Sequence, residues 1–505
     1  MKAHRPLRTI SAWMSPLAAA AAAAAALCLA GCVNYAGIKS NHQIEEPAKY
    51  ETQQSLPAEG GKWPSLDWSE QFGDPQLPKL IDEALKGNPS IDEARARIDK
   101  ATAYAGSAKS ALYPNVSGSY SFSRNLYSEN TVYPAPIGGN WASENTVLAG
   151  ASWDLDFWGK NHQRLKEAIS DQNVAEAEME AVRVSLATSV ASTYNELARL
   201  YELRDIAANE LKNREEIEHI TNGRVNAGLD TNVERQTANG DTATIRSTLT
   251  NLDGQITTVR CQLGALLGAG PDRGLAIAVP TLGNGAAVSL PDNLPADLIS
   301  RRPDLVAAYW QVDAAAHGVK EAKAEFFPDI NLSASLGLDA FGWGRFLNSS
   351  SRQIQAGSAV HLPIFDAGAL RSQLKGRYAD FDYGVANYNK TLINALSEVA
   401  TRVTLIHSTD KQLVDAQAAL DAQAKAYQLA VVRYRSGLNE QLQVLNADDN
   451  RLSAEQVVAN LKMDRRNMQV ALIKALGGGF DAEKTELATQ SGTPDTSLSV
   501  LHPNK

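Results

Sequence analysis

The sequence predicts an α+β membrane fold in which four membrane-length strands are set among very long helices, arranged as two copies of one unit. Three observations predict it. Motifs recur about 210 residues apart in the same order, hydrophobic spacing switches twice from a helical period to a period of two, and two stretches of more than 60 residues contain no proline. With 505 residues and 44% hydrophobic content the chain can bury a large core. Beyond about the first thirty residues no run approaches the roughly 18 apolar residues of a membrane-spanning helix, which excludes a helical transporter and leaves strands as the only way across a bilayer. The formal charge is −9, and without residues 1–31, which hold Lys2, Arg5 and Arg8 and no acid, it becomes −12, so nucleic acid is not an expected partner. Of the three cysteines, Cys28 and Cys32 lie near the N-terminus and only Cys261 remains, which supplies neither a disulfide framework nor a cysteine zinc site. No metal or redox cofactor is expected.

Lys2, Arg5 and Arg8 followed by an alanine-rich apolar stretch, residues 16–30, read as a signal peptide over residues 1–31. Leu29-Ala30-Gly31-Cys32 resembles the bacterial lipobox, which implies cleavage before Cys32 and covalent lipid on its thiol, the only bound group expected. Val33 stands where aspartate signals inner-membrane retention in such lipoproteins, so the resemblance implies sorting to the outer membrane.

The duplication is legible in paired motifs. Leu112-Tyr113-Pro114-Asn115-Val116 is answered by Phe326-Phe327-Pro328-Asp329-Ile330, and Arg224-Val225-Asn226-Ala227-Gly228-Leu229 by Arg433-Tyr434-Arg435-Ser436-Gly437-Leu438. Each unit opens with a helix, 89–112 after Asn88 and 303–327, with proline in its first turn. Strands follow. Val116, Gly118, Tyr120 and Phe122 alternate with serines over about 115–124, and a second alternation runs over about 146–157. The second unit repeats this over about 329–339 and 352–364. About ten residues is the length of a tilted membrane-spanning strand. Asp154 and Asp156, two apart on such a strand, would share its polar face and line a wet lumen rather than form a catalytic pair.

A long helix comes next in each unit, 160–222 and 369–436, then a break at glycine (Gly223 and Gly228, or Gly437) and a shorter helix, 231–267 and 438–476. In the first long helix Leu186, Val190, Tyr194, Leu197 and Tyr201 recur at three- and four-residue steps. The opening helix and the helix after the break together match the long helix in length, so two short helices stacked end to end fit antiparallel beside it. The units span 76–268 and 296–479, with 32–75, 269–295 and 480–505 as an equatorial belt.

Four strands do not close a barrel, and open edges in lipid leave backbone groups unsatisfied, so the chain must oligomerise, and nothing in the spacing selects the number of copies. The order of features, with Leu155-Asp156-Phe157-Trp158-Gly159-Lys160, Leu294-Pro295 before Arg301-Arg302-Pro303-Asp304, and Leu362-Pro363-Ile364-Phe365-Asp366, resembles the TolC-like outer-membrane factors, in their lipoprotein (OprM-like, NodT-like) branch, from about Trp63 to Gly479. The resemblance implies a homotrimer whose 12-stranded transmembrane β-barrel continues as a periplasmic α-helical barrel. It implies the exit duct of a tripartite efflux pump exporting small molecules, not an enzyme, with a periplasmic adaptor and an inner-membrane RND-type transporter as partners. A type I protein-secretion duct and a coiled-coil scaffold lipoprotein are the alternative readings. The scaffold leaves the strands unexplained, and the duct usually lacks a lipobox.

The resemblance also places a periplasmic gate at the helical turns. Its apolar ring position falls on Leu442, its two acidic ring positions on the amides Gln443 and Asn446, and an acidic position of the first unit on Glu234. The nearest acids are Asp448 and Asp449, which fit either a luminal ring or a solvated helix face. Closure by Leu442 and helix packing, rather than by a ring of charge, is the expectation.

Overall fold

A computed structural model describes residues 34–57, 60–283, 290–291, 294–438 and 440–482. Residues 1–31, Cys32 and the tail beyond residue 482 lie outside the described residues. Helices α1 (Gln76–Gly87) and α2 (Pro89–Ser110) lead into strands β1 (Asn115–Leu126) and β2 (Trp141–Asp154), then α3 (Lys160–Asn226) and α4 (Asn232–Leu266). After the short α5 (Pro271–Leu275) and α6 (Leu294–Arg301), the order returns as α7 (Pro303–Ala324), β3 (Asp329–Phe341), β4 (Arg352–His361), α8 (Ala369–Arg435) and α9 (Gln441–Ala475). Helices α2 and α7 have 22 residues each, α3 and α8 have 67, and α4 and α9 have 35. At 1.5 Å per residue the long helices extend on the order of 100 Å.

Several boundaries differ from the sequence expectation, each for a local reason. Helices α2 and α7 end at Ser110 and Ala324, short of 112 and 327, because Pro114 and Pro328 force the residues before them out of the helical region. Helix α3 runs through Gly223 to Asn226, since a helical glycine costs only about 1 kcal/mol and Gly223 keeps its ladder. Helix α9 starts at Gln441 rather than 438, after an extended Glu440. Strand β4 stops at His361, two residues before Pro363, and α6 begins inside the span 269–295 expected to be a linker. Strand β2 is shifted toward its hairpin, running Trp141–Asp154 rather than 146–157, because its ladder with β1 extends to the Leu126–Trp141 pair. Asp156 is therefore off the strand. It adopts a φ of 43° and accepts hydrogen bonds from the backbone N–H groups of Asn161 and His162, both at 2.9 Å, where it caps α3. The expected pair of luminal aspartates reduces to Asp154, which accepts a hydrogen bond from Asn331 at 2.5 Å.

The two shorter helices of each half meet end to end. Asn88 caps α2 by accepting from Ser90 N–H at 2.9 Å and donates to the carbonyl of Leu266, the last residue of α4, at 2.8 Å. In the second half Arg302, which precedes α7, donates to the carbonyl of Ala475, the last residue of α9, at 2.8 Å. The Arg302 guanidinium also bridges Asp304 and Glu398, so the Arg301-Arg302-Pro303-Asp304 stretch serves as a splice between helices. Burial carries the assembly. Val190, Tyr194 and Leu197 on α3 are fully buried in one cluster with Phe72, Leu77 and Leu80, and Val312 and Val319 on α7 share a second with Leu374, Phe381 and Val385 on α8, where Gly384 lies against Val312. Each such side chain is worth about 1.5–3 kcal/mol.

The strands form one antiparallel sheet in the order β1-β2-β3-β4, with β1 and β4 as edges. Opposed residues share a face, so the register sorts the side chains. One face carries Val116, Tyr120, Phe122, Leu336, Ile354 and Val360, all exposed in the single chain. The other carries the β1 serines with Glu144, Asp154, Asp329 and Asp339. No described helix is long and apolar enough to cross a membrane.

Candidate functional site

The turns joining α3 to α4 and α8 to α9 share one backbone design. Gly228 and Gly437 adopt φ values of 74° and 72°, a left-handed conformation that favours glycine. Around each, the residue after the glycine donates back to the helix, Leu229 to Arg224 and Leu438 to Arg433, both at 2.9 Å, completing a Schellman closure. Beneath the turns an apolar cluster of Ile217, Tyr434, Val444 and Leu445 ties α3, α8 and α9 together.

Above that cluster lies a buried charged network that sequence reasoning missed. Arg214 on α3 pairs with Glu210 one turn back and reaches Asp449 on α9 at 2.5 Å. Arg451 on α9 holds Asp448 at 2.7 Å and Glu455 at 2.7 Å, reaches Glu210 at 3.4 Å, and lies 5.1 Å above the ring of Tyr427 on α8. The side chains of Glu210, Asp448 and Arg214 are 1%, 0% and 6% exposed. Asp241 stands 3.8 Å from Arg214, so five carboxylates face two guanidinium groups. Burial, reinforced by the neighbouring Asp448 charge, pushes the Glu210 carboxyl up to about 7. When protonated, Glu210 donates a hydrogen bond to the neighbouring Asp448 carboxylate. The arrangement fastens α9 to α3 across the tip, with strength that depends on one proton.

Within the single chain the expected gate residues fall into an exposed set on α9 and residues held by pairing or capping. Leu442 sits on the first turn of α9, 62% exposed, facing away from Val444 and Leu445, with Gln443 and Asn446 exposed beside it. Asp449 reaches Arg214 at 2.5 Å while its side chain stays 64% exposed, which keeps it on the solvated face of α9. Asp448 is buried, which corrects its reading as part of a solvated face. Glu234 completes a capping box, accepting from the Thr231 N–H at 2.8 Å and from the Thr231 hydroxyl, and these bonds hold its carboxyl below the usual range. Two signals for these roles stood in the sequence. Thr231 and Glu234 have the three-residue capping spacing, and Glu210 and Arg214 occupy the apolar stripe Ala207, Glu210, Arg214, Ile217. Charges at stripe positions are buried and must be paired.

A second polar seam lies between α3, α7 and α8 near the sheet. Glu321 is 6% exposed and held by Arg164 at 2.7 Å and Arg377 at 3.5 Å, and the adjacent Glu167 is pushed up to about 7 by burial.

The family model for outer membrane efflux protein matches residues 80–269 and 294–478. The multidrug resistance outer membrane protein MdtP of Escherichia coli K12 is 29% identical over 468 residues, covering 90% of this chain and 94% of that protein. The fusaric acid resistance protein FusA of Burkholderia cepacia is 36% identical over 317 residues, 62% of this chain and 59% of the relative. Among solved structures, VceC of Vibrio cholerae superposes with a TM-score of 0.77 at 33% identity over 83% of this chain and all of that one. The outer-membrane channel OprN gives 0.78 at 26% identity, covering 89% and 99%.

Proposed function

Because the chain belongs to the outer membrane efflux protein family, we propose that it is the outer-membrane exit duct of a tripartite pump that expels small toxic molecules. The observation that carries this reading is the sheet: four strands with two unpaired edges, an exposed apolar face and a polar face, mounted on helices of 67 residues. A lone sheet of this kind is unstable in lipid, whereas three copies joining β1 to the neighbour's β4 close a 12-stranded barrel with the apolar face outward and the acidic face around water. The matched lengths of the two halves and the two separate matches to the family model support an internal duplication. The exposed Leu229, Val233 and Leu438 at the turns suit docking of a periplasmic adaptor, which would link the duct to an RND-type inner-membrane transporter.

At rest the duct is closed at the tip, with three copies of Leu442 forming an apolar constriction, Gln443 and Asn446 bonding between neighbours, and Asp449 and Glu234 committed to pairing and capping. Cys32 carries the lipid that tethers the N-terminus to the outer membrane.

The decisive measurement is dye or drug accumulation in cells lacking the chain. Retention should rise and fall again when the wild-type chain is restored, and equal accumulation with and without it would overturn the pump reading. The mass of the detergent-purified assembly, corrected for detergent, should be that of a trimer. Leu442→Ala should raise single-channel conductance, and a rise with Asn446→Ala instead would move the constriction one turn along α9. Radiolabelled palmitate should enter the wild type and not Cys32→Ser.

A further inference from the structure

Charge on the sheet is segregated by face. Following the register, the only charged strand residues on the apolar face are Arg124 and Arg352, whereas the opposite face holds acids and no lysine or arginine. Both arginines lie at the hairpin end, away from the helices. Arg124 is eight residues beyond Val116 on β1, and Arg352 eight residues before Val360 on β4, which at about 3.3 Å per residue and a 45° tilt raises each roughly 20 Å along the apolar band. That height is near the outer end of an apolar band about 25 Å tall, with the exposed Leu126 and Trp141 just beyond it on the same face.

The hairpin loop between β3 and β4 adds a third arginine. Trp343 stacks on Phe122 with ring centroids 6.0 Å apart, and Phe346 packs 6.2 Å from Tyr120, so the loop folds back over the apolar face with Arg345 between its two aromatic anchors. All three arginines are exposed, and none has an ion-pair partner among the described residues. Beside Phe122 in the register, Asn145 is fully buried and accepts from the Tyr120 hydroxyl at 3.2 Å, while its Nδ2 has no acceptor.

We infer that this outer rim, through Arg124, Arg345 and Arg352, binds the phosphate groups of the glycolipid in the outer leaflet. Arg124 and Arg352 near headgroup height, with Arg345 in the loop folded over the same face and no acid among that face's strand residues, are complementary to a phosphorylated headgroup, and guanidinium meets phosphate in a planar two-point contact. The exposed aromatic and aliphatic side chains below them suit the acyl chains of the same molecule. The inference rests on the barrel reading, which also brings Arg352 of one copy beside Arg124 of the next where their edge strands pair.

The test uses the full-length assembly purified free of bound lipid, with bisphosphorylated lipid A and the same lipid A enzymatically dephosphorylated as probes, and counts bound lipid by native mass spectrometry. The wild type should bind the phosphorylated form on the order of tenfold more tightly, as expected for charge-assisted contacts, and Arg124→Gln/Arg345→Gln/Arg352→Gln should lose that preference. If the triple variant does not assemble, Arg345→Gln, confined to the loop, carries the test with a smaller loss of the same preference. Equal binding of the two lipids by the wild type, or an undiminished preference in the variants, overturns the inference. A sample that runs as a monomer before heating, with no lipid added, sinks the barrel reading itself, whereas a heat-stable trimer indifferent to phosphate sinks only the lipid site.

Discussion

The two helical turns have the same backbone and opposite means of support. The first, between α3 and α4, is held by its own neighbours: Arg224 grips Asp230 through two bonds of 2.7 and 3.0 Å, and Thr231 and Glu234 close a capping box. The second, between α8 and α9, has no side-chain cap at Glu440, and α9 is fastened instead by pairs reaching α3, Asp449 to Arg214 and Arg451 to Glu210. A turn secured locally stays folded whatever its neighbours do. One secured by remote pairs loosens when their buried member, Arg214, is removed, so under the proposed closure at the tip α9 is the element suited to move.

The largest expected effect comes from Arg214→Ala. It leaves the buried Glu210 carboxyl with Arg451 alone, 3.4 Å away, and frees Asp449, at a cost of about 3 kcal/mol, the lower end for buried pairs broken from one side. Denaturation midpoints should fall, backbone amides at the start of α9 should exchange faster than those of α4, and channel conductance should rise. Equal exchange in α4 and α9 would erase the contrast between the turns.

Next in size is a pH effect at the same place. Glu210 keeps its proton up to about pH 7 in the fold against a usual 4.5, so between those values the folded chain holds a proton that the unfolded chain has released, and stability falls as pH rises through that window. Protection of α9 amides should therefore be lower at pH 8 than at pH 6, and Glu210→Gln should flatten the dependence. Glu167 titrates in the same range, so global melting retains part of the slope in that variant while α9 exchange does not.

Thr231→Ala should cost about 1 kcal/mol, the usual loss of a helix N-cap, with increased exchange confined to the first turns of α4 and conductance unchanged. The smallest change is expected from Asp449→Asn. Its side chain is 64% exposed, and such pairs are worth about 0–1 kcal/mol, so stability should move little while Arg214 retains Glu210. A loss as large as that of Arg214→Ala would mean that the exposed end of the pair, not the buried one, holds α9.

Much of this architecture could be read directly from the residues. Alternation over 115–124 and 329–339 assigned strands and their faces because side-chain direction in a strand reverses at every residue. Long proline-free stretches marked α3 and α8, and Gly228 and Gly437 marked the turns, because a left-handed closure favours glycine at that position. These are local rules, and they operate within a few residues. Pairings between α3 and α9 obey no such rule. Arg214 and Asp449 are separated by 235 residues, and whether Asp448 faces water or a buried guanidinium depends on which helix lies against it. The same holds for Asp156, whose expected place on a strand gave way to a helix cap once the ladder between β1 and β2 set where β2 ends. Sequence by itself determined the elements, their order and the faces the strands present, with bounds off by a few residues. Only the packed structure decided which charges are buried together, because burial and pairing are properties of the surface that arrives from elsewhere in the chain.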